Sequence, residues 1–221
     1  GAGRTLGVTS LPSGFHCHVA NIGVKDTSDD FVVIATDRPV PAAGVFTKSR
    51  FAGPSVLVSR EHLADPQAQA MVIVSKNANV ANGPDGLSDA RELVTGVAAR
   101  LGCTPSEVLV ASTGVIGRRY PMDRVRAGVA AMPEMPDGTS ADDAARGIMT
   151  TDTVAKVAEA TVAGSAARVV GIAKGVGMIE PDMATMIAVL LTDAAQLSLP
   201  RLREFTRQAL EQVGHVEHLR R

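Results

Sequence analysis

Short runs of β-branched and other apolar residues, interrupted by glycine and proline, recur along the first half of the sequence. Runs of this length between residues that break regular structure are typical of buried strands. Tryptophan is absent and aromatic residues make up only 3% of the chain, so the core must consist mostly of small and β-branched side chains. Such a core favours sheets packed closely against helices. The runs predict strands at FVVIA (Phe31–Ala35), GVFT (Gly44–Thr47), SVLVS (Ser55–Ser59) and MVIVS (Met71–Ser75), with Pro39, Pro41 and Pro54 marking breaks between them.

Amphipathic helical segments alternate with further strands in the rest of the chain. Ser88 is a suitable N-cap and Gly102 a suitable stop for the first helix, which has Ala90, Val94 and Val97 on one face. Together these segments predict an α/β chain with mixed sheets and helices in layers. The other predicted helices begin near Pro121 (with Val125 and Val129 inward) or cover 142–149 and 199–213, and the other strands cover 108–112, 168–173 and 185–192.

The charge and the cysteine content restrict the function classes. The chain has 22 basic and 23 acidic residues, which argues against a nucleic-acid surface. It lacks both an apolar run long enough to span a bilayer and a secretion signal at its start. Two cysteines, Cys17 and Cys103, fit a reduced compartment. We therefore predict a cytoplasmic protein without nucleic-acid or membrane partners.

Motifs for metals and nucleotide cofactors are absent from the sequence. His16 and His18 would share one face of a strand, with Cys17 on the other, and no third ligand follows at zinc spacing. Neither the dinucleotide fingerprint nor the phosphate-binding loop motif occurs. The sequence thus predicts neither a metal nor an organic cofactor.

The segment AKGVGMIEPDMATMIAVLL is the most informative for chemistry. It combines a lysine beside two glycines, a Pro-Asp turn, and Thr185 at the entrance of an apolar strand. A hydroxyl held there could act as a nucleophile if a base, such as the threonine's own α-amine after cleavage of the preceding bond, removed its proton. The alternative is that Thr185 only starts a strand, and on these residues alone that interpretation is favoured.

Three further stretches contain polar groups that could support such chemistry. In ASTGVIG, Thr113 and Gly114 could donate two hydrogen bonds to an oxyanion, or form an ordinary turn. In IMTTDT (Ile148–Thr153), adjacent hydroxyls could hold a substrate carboxylate or terminate a helix. The asparagines of KNANVANG, which begins at Lys76, suit a loop with left-handed backbone conformations.

The order of these motifs resembles the ornithine acetyltransferase family, also called glutamate N-acetyltransferases. The resemblance covers the chain from Phe15 to about Asp193, and FTKSRFAGPSV and KNANVANG look closest to the paralogue of clavulanic acid biosynthesis. It implies a layered N-terminal-nucleophile fold related to the DmpA aminopeptidases, without metal or cofactor. The matching stretches are GVFTKSRFAGPSV, KNANVANG, ASTGVIG followed by PM, IMTTDT and AKGVGMIEPDMATM.

The resemblance also implies a reaction and a set of site residues. A precursor of this family cuts itself before the threonine of the A-T-M motif, here between Ala184 and Thr185. Thr185 then carries acetyl from N-acetylornithine to glutamate in a ping-pong reaction. Thr113 and Gly114 would form the oxyanion hole. Thr150 and Lys174, together with Thr185, would contact the substrate.

Family members are nearly twice as long, and their second half supplies further substrate contacts. The resemblance therefore implies two regions, 1–184 and 185–221, the second apparently truncated. We expect a second-half chain as a partner, in a homo- or hetero-oligomer. The alternatives are a non-catalytic remnant, a structural partner of an intact homologue, or an aminopeptidase or amidase on the same fold.

Overall fold

The computed structural model describes residues 8–175, 186–195, 198, 200–204 and 208. Strands and helices alternate through these residues, as the sequence predicts. In chain order they are β1 (His16–Ala20), β2 (Phe31–Pro41), α1 (Pro54–His62), β3 (Gln67–Val74), α2 (Gly83–Leu101), β4 (Val108–Ser112), α3 (Met122–Ala131), α4 (Ala141–Gly147), β5 (Lys156–Thr161), β6 (Arg168–Lys174) and β7 (Ile187–Thr192).

The first sheet is mixed and has the strand order β1-β2-β3-β4. The pairs β1/β2 and β2/β3 are antiparallel, whereas β3 and β4 run parallel because α2 carries the chain back across the sheet. One face packs on α1, α2 and α3 through a core that contains Phe31, Val72, Leu93 and Val97, each at most 1% exposed. This crossover brings the ends of β3 and β4 to the same edge.

The second sheet is antiparallel, in the order β5-β6-β7. Its buried side chains Val170 and Ile172 share a core with Ile73 and with Ile148, which follows α4. Helix α4 contacts strands of both sheets. The layered α/β fold class predicted from the sequence, with mixed pairing and helices packed on the sheets, is thereby confirmed.

The predicted strand Ser55–Ser59 is wrong, since these residues lie in α1. Pro54, interpreted as a break between strands, lies in the first turn of the helix, where its fixed φ suits the helix and its missing N–H costs nothing. Ser55, Val58 and Ser59 are buried, which is the spacing of one helical face. Ser59 Oγ also exchanges two hydrogen bonds of 2.7 Å with the backbone of Val110 in β4.

Other predicted boundaries also need correction. Residues 44–47 form a loop rather than a strand, and α2 begins at Gly83 instead of after Ser88, again with a proline in its first turn. Strand β5 was not predicted, because four of its six residues are exposed.

Two predicted helix features are confirmed. Helix α2 ends at Gly102, which has φ 69°, and Val125 and Val129 of α3 point inward. Of the predicted helix over 199–213, residues 200–204 are helical and most others lie outside the described residues.

The described residues also bear on membrane spans and metal ligands. No helix in the described ranges is both long and apolar enough to cross a membrane. Within the same ranges, no three His, Cys, Asp or Glu side chains are grouped so that they could hold a metal ion. The buried Cys17 thiol lies 3.6 Å from the carbonyl oxygen of Ser140, and burial raises its pKa to about 11. Cys17 is therefore a core residue.

Replacing Ser140 by alanine should destabilise the fold by about 1 kcal/mol, the usual cost of losing an N-cap side chain. Its Oγ accepts a 3.0 Å hydrogen bond from the Asp143 N–H at the start of α4. Urea unfolding measures the effect. Thr95→Ala is the control, because its hydroxyl only donates to Arg91 O on the exposed face of α2. Equal losses from both variants would contradict the capping role.

Candidate active site

The ASTGVIG turn lies against the segment that follows β3. Because β3 and β4 are parallel neighbours, residues 75–77 and 113–115 leave the sheet side by side. The Thr113 N–H donates to Val74 O at 3.0 Å, and the Ala78 N–H donates to Val115 O at 2.9 Å. The turn that carries Thr113 and Gly114 is therefore fixed by backbone hydrogen bonds on both sides.

Gly114 occupies a position that no other residue fits. Its φ is +135°, and a Cβ there would lie 2.2 Å from the carbonyl carbon of Lys76 and 2.5 Å from Asn77 N. Such contacts with backbone atoms cannot be relieved by a side-chain rotation. Gly114 is exposed, and its N–H has no acceptor among the residues that the structure describes. This N–H is therefore available to a ligand.

The KNANVANG loop packs against the ASTGVIG turn and forms backbone hydrogen bonds with it. Of the asparagines Asn77, Asn79 and Asn82, which were predicted to suit left-handed backbone, only Asn79 has a positive φ, and Lys76 and Ala81 have one as well. The Lys76 ammonium donates to Asp26 Oδ1 at 3.1 Å and to two backbone carbonyls of the 20–30 loop. Asn77 donates its side-chain amide to the carbonyl oxygens of 118 and 119. The loop thus anchors the turn through side chains as well as through its backbone.

Lys174, the last residue of β6, is in direct contact with Thr113. Its Nζ donates a 3.0 Å hydrogen bond to Thr113 Oγ1, and both residues are buried. A protonated lysine has no acceptor, so Thr113 Oγ1 must accept, and its own proton is left for another partner. The pKa of Lys174 is lowered overall, mainly by burial and further by Lys156, while Asp152 acts in the opposite direction.

A buried carboxylate, Asp152, connects three of the nearby groups. Its Oδ1 accepts hydrogen bonds from Lys156 Nζ at 2.7 Å and from the Gly175 N–H at 2.9 Å, while Oδ2 accepts from the Thr150 N–H at 3.3 Å. Oδ2 also lies 4.0 Å from Lys174 Nζ. Burial raises the pKa of Asp152, but the hydrogen bonds from Lys156, Gly175 and Thr150 outweigh it and lower the pKa overall. Thr150 is thereby held beside Lys174.

Sequence reasoning missed Asp152 and Lys156 as site residues. A signal was present, because Asp152 is the acid within IMTTDT and Lys156 follows it by four residues, but hydroxyls alone were considered there. Of the predicted residues, Thr113, Gly114, Thr150 and Lys174 come together. Ala184 and Thr185 lie outside the described residues.

The first described residue after Thr185 lies beside this cluster. Met186 leads into β7, in which Ile187 pairs with Lys174. A methyl group on Gly175 would lie 3.6 Å from Met186 Cα. The chain therefore reaches the cluster at the residue that directly follows Thr185 in the sequence.

The cluster opens into a cleft of about 2860 Å³. Thr113, Gly114, Thr150, Lys156 and Lys174 all line it. The cleft is several times larger than a small-molecule site requires, and these five residues mark the part of it where a ligand could be bound.

Comparison with known proteins decides the family. The model of the ArgJ family matches residues 16–213, almost the whole chain. The chain belongs to the ArgJ family. The resemblance seen in the motifs is thereby confirmed.

Two curated relatives illustrate the match. The chain is 51% identical to the Nostoc arginine biosynthesis bifunctional protein ArgJ 2, over 94% of this chain and 53% of the relative. It is also 51% identical to the glutamate N-acetyltransferase Oat2 of Streptomyces clavuligerus, over 83% of this chain and 46% of the relative. The two identities are equal, so they do not show which of the two relatives the chain resembles more. The chain spans about half the length of these curated relatives.

A solved structure supports the fold. The ornithine acetyltransferase of Mycobacterium tuberculosis in complex with ornithine superposes with a TM-score of 0.72 and 34% identity, over 80% of this chain and 94% of the solved chain. The layered arrangement of this ArgJ-family chain is therefore that of a solved ornithine acetyltransferase.

Proposed function

We propose that this chain is the oxyanion-hole part of a glutamate N-acetyltransferase that moves acetyl from N-acetylornithine to glutamate. The observation that carries the proposal is the pair of hydrogen-bond donors at Thr113 and Gly114, which lie side by side and face one cleft with Lys174. The names of the curated relatives point to the same chemistry.

The proposed transfer has two half-reactions. The Thr185 hydroxyl attacks the acetyl carbonyl of N-acetylornithine, and its proton passes to the Thr185 α-amine. Ornithine then leaves, taking up a proton on its amine, and acetyl stays on the Thr185 oxygen as an ester. In the second half-reaction the neutral amine of glutamate attacks this ester and loses a proton, which passes through the Thr185 α-amine to the Thr185 oxygen as the hydroxyl is released. Each attack places negative charge on the carbonyl oxygen, which the Thr113 hydroxyl and the Gly114 N–H would stabilise.

Self-cleavage would make the α-amine available. The Thr185 hydroxyl attacks the Ala184 carbonyl, the peptide bond rearranges to an ester, and water hydrolyses the ester to free Ala184 and the Thr185 amine. The length of the solved Mycobacterium tuberculosis chain supports this step, because 80% of this chain covers 94% of it, whereas 94% of this chain covers only 53% of the Nostoc relative. The solved chain is thus about half as long as that relative, which is what such a cut would produce.

The proposed substrate contacts are those of Thr150, Lys174 and Thr185. Lys174 and Lys156 bring two ammonium groups to one wall of the cleft, with Asp152 as their shared counter-ion. This cationic wall suits the carboxylates of N-acetylornithine and glutamate. A second-half chain would complete the site, since curated relatives are about twice the matched length.

Acetyl exchange tests the proposal. The chain is co-expressed with the remaining half of Streptomyces clavuligerus Oat2, and N-acetylglutamate is measured after addition of labelled N-acetylornithine and glutamate. We expect exchange from the combination and little or none from the 221-residue chain alone. Thr113→Ala should slow exchange about 100- to 1000-fold, as expected when one oxyanion donor is lost.

Thr113→Ser is the matched control for this loss, because it keeps the hydroxyl and removes only the methyl group. It should retain most of the exchange rate. Equal rates from the wild type and Thr113→Ala would contradict the oxyanion role, and absence of N-acetylglutamate from the wild-type combination would contradict the proposed transfer.

A further inference from the structure

We propose that Asp152 is a positioning residue, which keeps Lys174 cationic and thereby keeps the proton of the Thr113 hydroxyl turned toward the cleft. The role of this relay in catalysis depends on the function proposed above, whereas the relay itself can be tested without any activity. It extends the part of Asp152 from counter-ion of the two lysines to control of the Thr113 hydroxyl.

The first step of the argument is the direction of the Lys174–Thr113 hydrogen bond. An ammonium donates and cannot accept, so a charged Lys174 forces Thr113 Oγ1 to accept and frees the hydroxyl proton. A neutral amine has a lone pair and can accept that proton instead. The protonation state of Lys174 therefore decides whether the Thr113 hydroxyl can donate to an oxyanion.

The second step concerns what keeps Lys174 charged. Its side chain is only 6% exposed, which disfavours the ammonium. Among the described residues, the charged groups that face it are Asp152, from the segment after α4, and Lys156, from β5. Burial and the like charge of Lys156 both lower the pKa of Lys174, and Asp152 is the described group that acts against them, although the pKa stays below its usual value.

The third step is the geometry of the Asp152 carboxylate. Both oxygens are fixed by donors, with Lys156 and the Gly175 N–H on Oδ1 and the Thr150 N–H on Oδ2. The carboxylate therefore cannot turn to form a tight pair with Lys174, which stays at 4.0 Å and is left to donate to Thr113. Asp152 supplies charge without competing for the hydrogen bond.

The test measures the pKa of Lys174 by NMR, from its ¹³Cε and ¹⁵Nζ shifts as a function of pH. The Thr185→Ala background keeps every chain uncut, and a Lys174→Gln variant assigns the signal. Asp152→Asn should lower the pKa of Lys174 by about one pH unit or more, the usual effect of removing an opposite charge at this distance. Asp89→Asn is the matched control, because Asp89 is an equally buried carboxylate paired with Arg119 and should leave Lys174 unchanged.

Lys156→Gln provides a test of opposite sign, which also serves if Asp152→Asn does not fold. The Lys156 side chain is 41% exposed, and its removal takes away the like charge. The pKa of Lys174 should then rise. An unchanged Lys174 pKa in Asp152→Asn, the same fall in Asp89→Asn, or a fall in Lys156→Gln would overturn the proposal.

The catalytic consequence is tested by the pH dependence of acetyl exchange. Activity that needs a charged Lys174 is present below the pKa of Lys174 and is lost as the pH rises through it. In Asp152→Asn this loss should therefore begin at a lower pH, by the same interval that NMR measures. A shifted Lys174 pKa with an unshifted exchange profile would overturn the positioning role, whereas absence of exchange in the wild type counts against the proposed function and leaves the NMR result intact.

Discussion

Replacing Gly114 by alanine should abolish self-cleavage and lower acetyl exchange at least about 100-fold, the scale of losing an oxyanion donor. The added methyl group would lie 2.2 Å from the carbonyl carbon of Lys76, so the turn must move away from the KNANVANG loop. This movement displaces both the Gly114 N–H and the Thr113 hydroxyl. Intact mass reports cleavage, and N-acetylglutamate formation by the reconstituted protein reports exchange.

Gly117→Ala is the control for this effect. Gly117 lies in the same ASTGVIG turn and also has a positive φ, 74°, but a Cβ there meets nothing within 4 Å. Its replacement should cost about 1 kcal/mol of stability through backbone strain and leave cleavage and exchange near the wild-type rates. If both variants behaved alike, general strain rather than the displaced donors would explain the Gly114 result.

Replacing Thr185 by alanine should remove self-cleavage and acetyl exchange completely, since the proposed nucleophile of both steps is its hydroxyl. Thr185→Ser keeps the hydroxyl and should retain both reactions at a reduced rate. Met186→Leu, a change of similar size at the next position, should leave both reactions intact. Exchange that persists in Thr185→Ala would remove the nucleophile assignment.

The strands that could be predicted from the sequence are those with continuous buried runs. Val108–Ser112 was predicted with its observed bounds, and Phe31–Ala35 is the buried part of β2, a central strand that pairs with β1 and β3. Strand β2 continues to Pro41, so Pro39 and Pro41 do not mark breaks as predicted. Pro54 misled the prediction, because a proline that ends one element also fits the first turn of a helix, as in α1 and α2. SVLVS forms a helix whose buried Ser59 bonds to β4, a tertiary contact that no local pattern contains.

The sequence predicted the site residues that lie in recognisable motifs. Thr113, Gly114 and Lys174 were singled out from ASTGVIG and AKGVGM, and the fold brings them together from the ends of β4 and β6. The signal for Asp152 in IMTTDT was weak, because a carboxylate between hydroxyls also forms local turns. Its burial and its approach to Lys174 follow from the packing of α4 against the second sheet.

The central claim is that Thr185 is an N-terminal nucleophile released by self-cleavage. The intact mass of the purified 221-residue chain under denaturing conditions tests it most directly. We expect two polypeptides whose masses correspond to a cut between Ala184 and Thr185, and a single uncut chain from Thr185→Ala. A single full-length mass from the wild-type chain, or the same two fragments from Thr185→Ala, would contradict the claim.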